Sequence, residues 1–92
     1  MTPERERLVA AVEEANAAAM RIRLRYGRIS EESARKAIEA QGLLNEYDRR
    51  DYLWSLRQSL AQSARRTKEA EQRVTEMEAA IAAHDRQQGG EG

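Results

Sequence analysis

The sequence predicts an all-α fold: a helical hairpin with a long C-terminal helix, coiled-coil-like and homodimeric. Three observations carry this expectation. Leu53, Leu56, Leu60, Ser63, Thr67, Ala70, Val74, Met77 and Ile81 recur at alternating three- and four-residue steps. That spacing lays one stripe along one side of a helix and requires another helix to cover it. A second stripe, Leu8, Val12, Ala15, Ala19, Ile22 and Tyr26, repeats in the same way. Between the stripes, the run from Tyr26 to Glu32 combines a glycine, an apolar residue, a serine and two acids.

The first helix is expected over 3–26. Thr2 can cap it, Pro3 suits the first helical position, and Glu4 and Glu6 favour the positive helix end. The alanines in the middle of its stripe allow a neighbouring helix to approach closely. A turn is expected at 27–30. Gly27 suits a left-handed C-terminal residue, the arginines from Arg21 to Arg28 favour the negative helix end, and Ser30 can cap the next helix ahead of Glu31 and Glu32.

The second helix is then expected over 31–84, with a break or bend near 42–50. Gly42 either ends it or is tolerated inside at ~1 kcal/mol relative to Ala. Leu44, Tyr47 and Trp54 follow one apolar phase and Leu53, Leu56 and Leu60 another, so the phase shifts in this region. Residues 1–85 form the single domain, and 86–92, polar and Gly-rich, are expected to be a disordered tail.

With a turn at 27–30, the first helix would reach only to about Trp54. Roughly 30 residues, or ~45 Å at the helical rise, would project beyond it. Leu53, Leu56, Leu60, Thr67, Val74, Met77 and Ile81 are therefore the expected oligomer interface. With Leu53 at heptad position a, a parallel homodimer would face Arg66 with Glu71 and Arg73 with Glu78. This slightly favours parallel over antiparallel pairing, because exposed pairs contribute only ~0.2–1 kcal/mol each.

Composition limits the function classes. Ninety-two residues allow one domain, there is no Phe or Cys, and large apolar residues are sparse. Sixteen basic residues balance sixteen acidic ones, which argues against bulk attraction to nucleic acid or anionic membrane. Absence of Cys fits a reducing compartment. No signal-like or membrane-spanning run occurs, so a cytoplasmic location is expected. His84 is the only histidine, and Asp85 beside it does not make a site. Glu13–Glu14 and Glu31–Glu32 are adjacent pairs that diverge on a helix. No phosphate loop or metal-ligand spacing is present, so no enzyme activity, cofactor or metal is expected.

Tyr47, Tyr52 and Trp54 fall within eight residues, beside Arg49, Arg50 and Arg57. Trp, Tyr and Arg are the residue types most enriched at binding hot spots, which makes Tyr47, Arg50, Tyr52, Trp54 and Arg57 candidates for contact with another protein. The competing reading has Tyr47 and Trp54 packing on Leu8 and Val12 as part of the core. The expected function is that of a small protein-binding protein (adaptor, inhibitor or assembly factor) acting through amphipathic helix faces and self-association. The rival is a nucleic-acid-binding regulator that uses 21–42 as a helix–turn–helix, with Arg21, Arg25, Arg28, Arg35 and Lys36 as contacts. Glu31, Glu32 and Glu39 oppose that rival by bringing acids towards the duplex.

Overall fold

A computed structural model describes residues 2–43 and 45–90. It shows a hairpin of two long helices, α1 (Pro3–Glu39) and α2 (Glu46–Gly90), with a single 3-10 turn, Ala40–Gly42, between them. The hairpin is a rod of 72 × 17 × 12 Å. Among the described residues there is no strand, and no helix is long and apolar enough to cross a membrane.

α1 begins as its sequence dictates. The Thr2 hydroxyl accepts from the Arg5 N–H at 3.2 Å, Pro3 occupies the first turn, and Glu4 and Glu6 sit at the positive end. It does not stop at Gly27. The expected helix over 3–26 and turn at 27–30 are replaced by one 37-residue helix. The reason lies in the stripe. Beyond Tyr26 it continues in step through Ile29, Ser33, Lys36 or Ala37, and Ala40, and these positions are half-buried or buried. An interior glycine costs ~1 kcal/mol relative to alanine. Each large apolar side chain covered in the seam returns ~1.5–3 kcal/mol when fully buried. Ending α1 at Gly27 would uncover Ile29 on one side and the leucines of α2 on the other, so continuation wins.

The chain reverses at 40–45 instead, within the region where the apolar phase shifts. Leu43 leaves the 3-10 turn in an extended conformation, and its N–H donates to the Ala40 carbonyl at 3.1 Å. Asn45 starts α2 by accepting the Tyr47 N–H on Oδ1 at 2.9 Å, with Glu46 and Asp48 in the first turn. The second helix expected over 31–84 is therefore Glu46–Gly90, and the bend near 42–50 is a full chain reversal. Leu44, part of the shifted phase, lies outside the described residues. Of the tail expected over 86–92, the part through Gly90 is helical. Arg86, Gln87 and Gln88 are good helix formers, and each extends an existing helix by one hydrogen bond. Residues 91–92 lie outside the described residues.

The late turn makes the arms similar in length and removes the ~30-residue projection. Every residue of the α2 stripe, from Leu53 to Ile81, is half-buried against α1 of the same chain. Ala19 of α1 and Ala40 of the 3-10 turn are buried, at 5% and 2% exposure. Two ion pairs fix the antiparallel register: Arg5–Asp85 and Arg23–Glu71, both at 2.9 Å.

Candidate protein-binding surface at the turn end

Helix capping, the seam and the chain reversal together leave an apolar surface at one end of the rod. Arg49 holds this end together: its guanidinium Nη2 donates to the Leu43 carbonyl at 2.8 Å. Its Nε is buried without a partner among the described residues, so the side chain is committed to the link at a cost in hydrogen bonding. At this end of α2, Tyr47 is 74% exposed and Trp54 63%, while Leu43 in the connection is exposed to a lesser extent.

Four of the five candidate contact residues share one ridge. Tyr47, Arg50, Trp54 and Arg57 stand at i, i+3, i+7 and i+10 on α2, a spacing that aligns them along one helix face. Tyr52 does not join them. It is two residues from Trp54 and five from Tyr47, and falls on a different side of the helix. Next to the ridge runs a shallow groove walled by Ser33, Ala34 and Ala37 on α1 and by Leu53, Leu56 and Leu60 on α2, with Arg57 at its edge. The small side chains of α1 leave the leucines only half covered.

Packing of Tyr47 and Trp54 on Leu8 and Val12 does not occur. α1 enters from the far end of the rod, where its Arg5 meets Asp85, so Leu8 and Val12 lie far from the aromatics. Nor is there a helix–turn–helix at 21–42, because residues 27–30 are helical. Arg21, Arg28 and Arg35 instead form a row of three, spaced seven residues apart, along the outside of α1. Arg25 faces the other side of the seam, and Lys36 pairs with Glu32 at 3.2 Å. The stripe assigned to an oligomer interface is met by α1, and Glu71, placed opposite Arg66 of a second chain in the parallel arrangement, accepts from Arg23 of its own.

At the open end of the rod, His84 occupies the next stripe position after Ile81 and is 8% exposed. Its Nε2 lies 3.7 Å from Glu4 Oε2 and its Nδ1 3.6 Å from Asp85 Oδ1, and neither nitrogen has a hydrogen-bond partner among the described residues. The hydrogen bond from Arg5, more than its charge, holds the Asp85 carboxyl below the ordinary carboxylate range, and the Arg5 guanidinium is correspondingly pushed up. No group of three or more His, Asp or Glu placed to hold a metal occurs among the described residues.

Comparison with protein-family models, with curated proteins and with solved structures finds no match for this chain. Sequence reasoning missed Arg49 as the clasp of this end. The signal available was the phase shift itself, which places the chain reversal between Ala40 and Tyr47.

Proposed function

We propose that the chain is a small non-enzymatic protein-binding hairpin, an adaptor, inhibitor or assembly factor, that presents its turn end to another protein. The observation that carries this reading is the exposure of Trp54 and Tyr47 on one ridge, outside the seam that holds the fold together. Nothing in the hairpin requires these two large side chains. An exposed Trp and Tyr flanked by Arg50 and Arg57, beside a groove of half-covered leucines, has the composition of a hot spot in which aromatic anchors enter a partner's pocket and arginines select its charge. An acidic partner surface with an apolar recess, or an amphipathic helix with an acidic margin laid in the groove, fits this chemistry.

The single tryptophan provides the assay. Docking at the turn end should desolvate the indole and shift its fluorescence to shorter wavelength. Trp54→Ala should weaken partner binding by at least ~2 kcal/mol, about thirtyfold, and leave stability within ~0.5 kcal/mol. If partners bind Trp54→Ala as tightly as the parent while the helix content is intact, the turn end is not the binding surface.

A further inference from the structure

A second surface runs along the middle of the rod, on the side of the seam opposite the Arg23–Glu71 pair. Here Ala11, Ala18 and Ile22 of α1 and Ala70, Met77 and Ala80 of α2 line a continuous groove. The small residues keep it open, and its apolar floor is only half covered. Along its α2 wall stand Arg66, Glu69, Arg73 and Glu76. All four are exposed, and none makes an ion pair with another described residue.

The order of these charges identifies the occupant. Read backwards, the series Arg66, Glu69, Arg73, Glu76 is its own electrostatic complement. A copy of α2 laid antiparallel and centred level with residue 71 sets Arg66 against Glu76 and Glu69 against Arg73, each twice. Gln62 then meets Ala80. These residues follow one another at four- and three-residue steps, so all of them lie on a single ridge beside the groove. The same operation brings the α1 walls together. A parallel copy in register would oppose like charges at all four positions.

We propose that this groove takes a second copy of the chain, antiparallel, to form a four-helix bundle. The face available is large enough. A rod 72 Å long and 17 Å wide offers ~1,000 Å² to a partner, against the ~800 Å² per partner of an ordinary stable interface. The arrangement also agrees with the helix packing of such bundles, in which small residues on facing helices set a close approach. The two turn ends then point away from each other at opposite ends of the assembly, and both stay free. The dimer rests on the charge series and the groove, independently of what binds at Trp54.

The test is the solution mass of the full chain by sedimentation over a wide concentration range, against a chain mass of 10.5 kDa. The parent should reach twice that mass. R66E/R73E, with all four positions acidic, and E69R/E76R, with all four basic, should each lose at least about tenfold in self-association while keeping their helical circular dichroism. An equimolar mixture of the two should regain the dimer. R66E/E69R/R73E/E76R reverses every charge, restores the complement, and should dimerise alone; it keeps the proposal testable if either double variant misfolds. A parent that stays monomeric throughout would overturn the proposal. So would a dimer that both double variants retain, since another face would then hold it.

Discussion

Replacing Gly27 with alanine separates two incompatible roles for that residue. As a left-handed helix terminus, Gly27 would be strained by any side chain, and Gly27→Ala would destabilise the protein. In the structure, Gly27 has no positive φ, lies in the interior of α1, and is exposed, and a Cβ built on it meets nothing within 4 Å. The substitution therefore adds no clash and removes no contact. It should release most of the ~0.8–1.0 kcal/mol by which glycine is disfavoured relative to alanine inside a helix. For a domain of this size, 1 kcal/mol corresponds to ~4–8 °C in Tm. The assay is urea and thermal unfolding followed by far-ultraviolet circular dichroism, with an unchanged denaturant slope to show that the stability itself has moved. Glu31→Pro gives the opposite sign. At the first position of a helix capped by Ser30 it would be tolerated, whereas inside α1 it removes a backbone hydrogen bond, drives its ring against the Gly27 carbonyl, and costs ~3 kcal/mol or more. A destabilised Gly27→Ala together with a tolerated Glu31→Pro would refute a continuous α1 and return the turn to 27–30.

Three further outcomes follow from the seam and the open end. Ala19→Leu should cost ~1–3 kcal/mol, because the added carbons enter a position already buried in the seam, whereas Ala17→Leu on the exposed side should stay within ~0.5 kcal/mol. Urea midpoints of the two variants provide the comparison, and equal costs would show that Ala19 is not tightly packed. His84→Leu should stabilise the hairpin by ~1 kcal/mol or more, since it replaces a buried ring with two unpartnered nitrogens by an apolar seam residue; a net loss would mean that the imidazole gains hydrogen bonds or charge pairing in solution. Because Asp85 is held below its ordinary value, its pairing with Arg5 stabilises the folded chain above the usual carboxylate range and is lost as pH falls through the depressed folded-state value. Unfolding midpoints of the parent and of Asp85→Asn should differ at neutral pH and converge in acid. A difference that persisted unchanged would assign the Asp85 contribution to something other than its charge.

The heptad spacing of Leu53 to Ile81 and of Leu8 to Tyr26 determined the helices and their buried faces, because side chains three and four residues apart share a face whatever lies opposite. Thr2, Pro3 and the first-turn acids likewise settled where α1 begins, since capping is decided within a few residues. The position of the turn was not settled in this way. Gly27 to Glu32 carry good local chemistry for a helix end and start, but Ile29, Ser33 and Ala40 continue the stripe, and coverage of the α2 leucines outweighs one interior glycine. That comparison is between energies arising in different parts of the chain, so only the assembled hairpin decides it. With the turn at 40–45, the face of Leu53 to Ile81 is closed by α1 instead of standing open for a second copy. Tyr47 and Trp54 are likewise placed at the end of the rod away from Leu8 and Val12, on an exposed ridge of α2. Sequence spacing alone fixed which residues share a ridge; which ridges remained uncovered depended on where the chain reversed, a choice made by the summed burial along both helices.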